Sequence, residues 1–456
     1  MRSEAQLVAD AGAIWRAGLD AVDSHRLVRE SLSFDGPHLS VGDHRIHLPD
    51  LRRLIVVGAG KAGAGMARGV LDAVPDSLRD RVFGWVNVPD DCVATLPHIH
   101  LHGARPAGVN EPTERGLFGA RKILTMVSEA SADDLVLCLI SGGGSALVPF
   151  PVDGVSLVEK QLLTQELSAA GATIEQLNTV RKHLSRIKGG RLATACRAST
   201  MISLIISDVL GDPLDVIASG MTIPDTTRSR DALDVMRMFH LDRDDRFTAA
   251  VQALHRARPD PGAISTRSIP IVIGNNAVAV DAAGLEAERR GYSHAMTSAS
   301  KSEGQAEDVG RHLAQLAVRM RDTPGPDCLI SGGEPVVQLA PIGKRGKGGR
   351  NQQLCLAALQ EIGLNNVDGI CLLSGGTDGE DGPTDAAGAR INAATARIVR
   401  SSHMEISDHL IRNDAYHFFV ATKSLILTGP THTNVCDLRV VVVDRVETLP
   451  LQDANL

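Results

Sequence analysis

Short apolar runs recur along this chain, each ending in small or acidic residues and leading toward a segment of helical period. They are LIVVGAG (54–60), LVLCLISGGG (135–144), LIISDVLGD (204–212), IPIVIGNN (269–276), CLISGGEP (328–335) and ICLLSGGTDG (370–379). Apolarity that is continuous rather than alternating is the mark of strands buried on both faces of a parallel sheet. Between the runs, apolar residues return at helical spacing. Met66, Ala67, Val70, Leu71 and Val74 share one face of 63–74, and 157–167 and 278–287 repeat the pattern. The chain is therefore read as α/β with mostly parallel sheets. VFGWVNV (82–88) is expected as the strand after the first run, and 424–427 as a short late strand. The stretch between Phe239 and Ser268 turns charged, then helical, then rich in Pro and Gly, and is the expected linker. The runs SGGGS (141–145), SGGE (331–334) and SGGTDG (374–379) resemble one another and are expected as equivalent strand-end turns on separate sheets.

The chain has 456 residues, room for roughly two or three domains of ~150 residues each. Its net charge of −7 and its 3% aromatic content argue against a nucleic-acid partner, because phosphate neutralisation and base stacking both lack material. No apolar run approaches the ~20 residues that cross a bilayer, and no signal peptide is evident, so neither membrane nor export is expected. The cysteines form no C-x-x-C pair, and several lie in or beside apolar runs. They are read as reduced and structural, in a cytoplasmic protein.

Ligands of open α/β sheets bind beyond the carboxyl ends of the strands, where the glycine-, serine- and aspartate-rich turns of this chain fall. Gly58, Gly60 and Gly63 satisfy G-x-G-x-x-G, the phosphate-cradling turn of dinucleotide folds. Lys61, inside that turn, would meet an anionic ligand. Two enzymes follow from it, a nicotinamide-dependent reductase and a phosphoryl transferase. The reductase is the weaker, since the first acid after the second strand is Asp90, further along than the ~20 residues expected of a ribose-binding carboxylate.

The other turns add charge of both signs. Ser141, Gly142, Gly143, Gly144 and Ser145 follow a strong strand and lead into a helix start, which suits a phosphate cradle. Asn178, Arg181, Lys182 and His183 precede the run 187–191 (IKGGR), a basic cluster that is either an anion site or a solvated helix face. In 207–212, Asp208 and Asp212 flank Gly211. Two carboxylates on one turn suit Mg²⁺, which keeps most of its waters. Asp208 is alternatively placed to accept a proton from a substrate hydroxyl. Arg350 stands in the flexible basic loop 343–352 near a helix start, where its planar guanidinium would fork a carboxylate or phosphate. The acids of 375–385, with Asp378, lack calcium-loop spacing and read as a ligand-contacting turn. His432, in the polar loop 429–434, is a candidate acid–base group. No P-loop, protein-kinase motif set, H-E-x-x-H or G-x-S-x-G occurs.

Taken in order, GAGKAGAGM, LISGGGSAL, LNTVRKHLSRIKGGRLA, SDVLGD…IASG, GKGGRNQQLCLAA, SGGTDGEDGPTDAAGA and GPTHTNVCDLRV strongly resemble the class II glycerate kinases, across nearly the whole chain. This is the glycerate 2-kinase family, whose C-terminal portion is called MOFRL and whose members have also carried the name hydroxypyruvate reductase. The resemblance implies phosphorylation of D-glycerate at O2 by ATP with Mg²⁺. It also implies two α/β domains, the first a Rossmann-like doubly wound sheet, with the site in the cleft between them. Expected bounds are 1–245 and 246–456, with the MOFRL region at about 325–445. The family's first glycine motif maps its lysine to Lys61, and its GGRNQ motif maps its arginine to Arg350. On this reading Lys61, Arg350 and Asp208 carry catalysis. Gly60, the 141–145 turn, Asn178, Arg181, Lys182, Gly211, Asn351, Asp378, Thr431 and Asn434 bind substrate or nucleotide. Asp208 and Asp212 hold the metal, D-glycerate and ATP are the partners, and a homodimer is the assembly considered. The chain departs from the family pattern at Met221, His432 and Cys436, which bears on substrate preference more than on reaction type.

Overall fold

The computed structural model describes residues 2–48, 51–109, 111–256 and 266–445. The chain forms two compact units. One comprises 23–275 with 432–434, the other 1–22, 276–431 and 435–456. The expected division at 245/246 differs from this at both ends. The strand that follows 256 completes the first unit's sheet, and the first helix packs in the second unit. Residues 257–265 of the expected linker lie outside the described residues.

The first unit opens with an antiparallel meander, β1 (Leu32–Asp35), β2 (His38–Val41) and β3 (His44–His47). Its main sheet contains β4 (Arg53–Ala59), β5 (Val82–Pro89), β6 (Ile99–Arg105), β7 (Asp134–Ile140), β8 (Thr200–Ile206) and β9 (Arg267–Gly274). The spatial order is β6-β5-β4-β7-β8-β9, with every pairing parallel. Counted from β4 as the first strand this is 3-2-1-4-5-6, the Rossmann order. Strand β4 is almost wholly buried and β7 wholly so, as their unbroken apolarity requires. Phe83 and Trp85 pack toward the helix Glu114–Ser128. Val86 and Val88 lie against Gly63, at the start of the helix Gly63–Ala73, so both faces of the sheet are covered. A separate helical layer, Leu157–Ala169, Ile174–His183, Ser229–Met238 and Thr248–His255, closes its own core around Leu163, Val180, Met236 and Phe247.

The second unit carries β10 (His294–Thr297), β11 (Cys328–Gly333), β12 (Ile370–Gly376), β13 (Gly388–Ile391), β14 (Leu425–Ile426) and β15 (Asp437–Val443), in the order β10-β11-β15-β12-β13-β14. Only β10 and β11 pair in parallel; the other neighbours are antiparallel. The expectation of mostly parallel sheets fails here. A strand buried on both faces is uniformly apolar whichever way its neighbours run, and helices cover both faces of this sheet too. Leu313, Ala314 and Leu354 to Leu359 pack on one side. Ile14, Trp15, Val280 and Ala283 pack on the other.

Two of the three SGG runs therefore lie in one sheet rather than in separate ones. They flank β15 in register: Ser331 and Ser374 both stand beside Arg439, Gly332 and Gly375 beside Leu438, Gly333 and Gly376 beside Asp437. The glycines give room to neighbours. A Cβ on Gly332 would overlap the Asn276 carboxamide, and one on Gly375 would press on the Trp15 indole.

Candidate active site

In the first unit the Gly60 and 141–145 turns follow the carboxyl ends of adjacent strands β4 and β7, where the strand order reverses. This is the ligand crevice of a doubly wound sheet. The two turns are laced together. The Lys61 amide donates to the Gly142 carbonyl at 2.9 Å, and the Ala62 amide to Ser141 Oγ at 3.0 Å. Gly60 has φ +153°, and a Cβ there would overlap the Ser141 hydroxyl, so only glycine serves. Gly143 has φ +76°, and the buried Arg105 guanidinium comes within 3.1 Å of where its Cβ would lie. Asp208, just past β8, rests its carboxylate on Gly142 where a side chain would otherwise stand. Asn434 Nδ2 donates to that carboxylate at 3.2 Å.

The basic cluster is not a solvated helix face. Lys182 and Lys188 are buried. Lys182 Nζ lies 3.2 Å from Asp215 and 3.6 Å from Asp225, and so ties down the 213–225 segment. Asn178 Oδ1 accepts from Ser219 Oγ, and Arg181 donates to Ser145 Oγ. Gly211 makes a left-handed turn at φ +75°. The Asp212 carboxylate accepts from Asn275 Nδ2 at 2.5 Å, while Asp208 faces Asn434. No group of three or more His, Cys, Asp or Glu side chains able to hold a metal occurs among the described residues.

In the second unit the expected arginine heads the helix Arg350–Ile362. It forks Asp437, with Nε to Oδ2 at 2.7 Å and a terminal nitrogen to Oδ1 at 2.9 Å. The other terminal nitrogen reaches Glu334 at 3.2 Å. Burial works against the Arg350 charge, but the Asp437 carboxylate more than reverses it, holding the guanidinium above its ordinary value. Asn351 Nδ2 donates to Asp437, and Ser374 Oγ donates to Asn351 Oδ1. The acids of 375–385 take separate tasks. Asp378 accepts from the Glu380 amide of its own turn, and Asp385 accepts from the Tyr416 hydroxyl. Thr431 donates to the Thr377 carbonyl at 2.5 Å, and the exposed His432, which belongs to the first unit, sits at φ +56°.

Asp381 is buried and accepts from the Asn351 and Gln352 amides, two open donors at the start of that helix. Burial, with Asp437 nearby, pushes its carboxyl up to about 7 against those donors. An unfolded Asp titrates near 3.9. The unfolded chain therefore releases this proton first, and the stability from the neutral form is full below about pH 4 and lost as pH rises through about 7. Asp381→Asn should flatten the decline of the urea midpoint between pH 5 and pH 7.5. An unchanged slope would remove Asp381 as its source.

Residues 10–255 match a domain of unknown function, DUF4147, and residues 327–437 match the MOFRL family. Glycerate kinase of Rattus norvegicus is 36% identical over 503 aligned residues, 97% of this chain and 94% of that one. D-glycerate 2-kinase of Thermotoga maritima is 36% identical over 433 aligned residues, 93% of this chain and 95% of its own. The chain belongs to the glycerate kinase family. The crystal structure of Thermotoga maritima glycerate kinase superposes with a TM-score of 0.81 at 33% identity, covering 96% of this chain and 99% of that one. A Pyrococcus horikoshii protein of solved structure gives a TM-score of 0.81 at 29% identity, over 98% and 100% of the two chains.

Against this family background, several polar residues around the two turns and Arg350 carry no signal of their own in the sequence. Arg105 is one arginine in an alternating edge strand, and Asp437 is a lone acid before an apolar run. Glu334 ends a glycine turn, and Ser219 lies in IASG. Each acquires its role from residues distant in sequence.

Proposed function

We propose that this protein transfers the γ-phosphoryl group of ATP to O2 of D-glycerate, giving 2-phosphoglycerate and ADP. The observation that carries the reading is Lys61 held at the switch point of a Rossmann sheet, its amide fixed to the SGGGS turn. A phosphoryl transferase needs mainly positioning and charge neutralisation, and these turns supply both. The glycerate kinase and D-glycerate 2-kinase relatives support the same reaction.

In this mechanism the amides of the 141–145 turn receive the nucleotide phosphates, and Lys61 neutralises charge on the transferring group. Asn178, Arg181, Asn351, Asp378, Thr431 and Asn434 line the substrates or hold the turns that do. Arg350, oriented by Asp437, grips the glycerate carboxylate with its remaining edge. Glu334 takes that edge here through the longest of the three contacts and is the partner the substrate displaces. Mg²⁺, when bound with the nucleotide, would supply positive charge against its phosphates. Half-buried Asp208 beside Gly142 is a fitting single carboxylate for an ion that keeps most of its waters. Asp212, engaged by Asn275, is the weaker of the two. Asp208 is alternatively the acceptor of the O2 proton. The reductase reading loses ground at Asp90, the acid after β5, because Arg115 forks both its oxygens at 2.8 Å.

The test is a coupled assay with purified protein, ATP, Mg²⁺ and D-glycerate, with enolase but no phosphoglycerate mutase. Phosphoenolpyruvate appears only from 2-phosphoglycerate. If none forms, and NADH is consumed with hydroxypyruvate instead, the assignment is wrong.

A further inference from the structure

Beside the 141–145 turn lies a group of basic side chains that form no ion pair among the described residues. Lys188 Nζ donates to Ser145 Oγ at 2.6 Å and to the Ser145 carbonyl at 2.8 Å. Arg181 donates to the same Oγ at 2.5 Å. Ser219 Oγ is 3.0 Å from Ser145 Oγ. Next to them, Lys160 Nζ donates to the carbonyls of Arg181 and Leu184 at 3.1 and 2.8 Å. Lys188 and Lys160 are 2% and 8% exposed, whereas Arg181 and Ser145 retain partial access to solvent. Among the described residues none of these three cations has an ion pair. The nearby acids Asp215 and Asp225 pair with Lys182 and His183 instead.

Three cations in a low-dielectric setting without a counter-charge are poised for an anion. Burial, with Arg181 and Lys160 alongside, pushes the Lys188 ammonium well below its ordinary range, a shift that an arriving anion would oppose. The backbone adds a second sign. Ala218, Ser219 and Gly220 take successive left-handed conformations, φ +49°, +58° and +60°, unfavourable for the first two. That conformation brings the Ser219 hydroxyl to Ser145.

We propose that Arg181 and Lys188, with the hydroxyls of Ser145 and Ser219, bind a phosphate group as its dianion. Resting on the reaction proposed above, we take it to be the terminal phosphate of the nucleotide, the one of the three that can carry two charges. Ser145 Oγ occupies the acceptor position that a phosphate oxygen would take. The site supplies two cationic donors and two hydroxyls, with a third cation behind, and a dianion balances charge that a carboxylate would leave over.

The experiment titrates inorganic phosphate into the full chain by calorimetry and measures KM for ATP and for D-glycerate in Arg181→Gln, Lys188→Met and Ser219→Ala. Phosphate should bind the parent protein and compete with ATP. Arg181→Gln and Lys188→Met should each weaken phosphate binding and raise KM for ATP about tenfold or more, the scale of one charge-assisted hydrogen bond. KM for D-glycerate should stay within about twofold. Folded variants that bind phosphate like the parent, or that raise KM for D-glycerate alone, overturn the proposal. Should Lys188→Met fail to fold by circular dichroism, the partly exposed Arg181→Gln decides. If phosphate binds and the variants abolish it while no glycerate kinase activity exists, the site stands and the reaction falls. If kinase activity is intact and the variants leave phosphate binding and KM for ATP unchanged, the reaction stands and the site falls.

Discussion

Arg350→Met should lower turnover of D-glycerate by on the order of 10²-fold or more, the scale for losing one transition-state donor. It should also destabilise the protein. Asp437 is fully buried, and its two oxygens take the Arg350 fork at 2.7 and 2.9 Å. Removing the guanidinium leaves a carboxylate in the interior with, among the side chains of the described residues, only Asn351 Nδ2 still donating to it, at 3.0 Å. Breaking a buried pair from one side costs about 3–5 kcal/mol, and the partial exposure of Arg350 argues for the lower end. The two effects separate in a double variant. Arg350→Met/Asp437→Asn removes the stranded charge and should recover much of the urea midpoint, while turnover stays low. Recovery of turnover together with stability would show Arg350 to be a structural anchor alone. Glu334→Gln, which frees the third edge, should spare stability, since a half-exposed contact of this kind contributes little.

How far the residues foretold this arrangement differs between the two units. The strands β4, β7 and β8 were legible because each is a continuous apolar run closed by a glycine or acid turn, and a parallel sheet is the usual setting for such runs. Strand β6 was not expected. It is an edge strand, and IHLHGAR alternates rather than running apolar. In the second unit the runs were visible but their direction was not, because uniform burial erases the difference between parallel and antiparallel neighbours. The central place of β15 was hidden for the same reason: DLRVVVV says that it is buried, not which strands flank it. Lys61 and Arg350 were legible as cations in glycine-bearing turns. Their partners were not. The bond between Arg350 and Asp437 spans 87 positions, and that between Asn434 and Asp208 spans 226. No local pattern reports a pairing over such a separation. Two local readings also competed for the basic cluster, and burial decided between them. Lys182, which looks solvated in a charge-rich helix, becomes an interior group tied to Asp215 and Asp225 of the 213–225 segment.

Lys61→Met is the variant that bears most directly on the chemistry, because it removes the charge that the mechanism places on the transferring group. The backbone of the turn is held by contacts other than the ammonium. Its shape rests on Gly60 at φ +153°, on the Lys61 amide bonded to the Gly142 carbonyl, and on Ser141 Oγ accepting from Ala62. All three survive the substitution, and Met keeps the apolar stem that passes about 3.8 Å from the Gly143 Cβ position. The turn should therefore keep its shape, which an unchanged circular dichroism spectrum of the variant would check. Activity should behave differently. If the ammonium stabilises the transferring phosphoryl group, kcat and kcat/KM fall together, by on the order of 10²-fold or more. A rise in KM for ATP with kcat unchanged would reduce Lys61 to a ground-state phosphate contact. Near-parental turnover in the folded variant would remove it from the mechanism and with it the observation on which the kinase assignment rests.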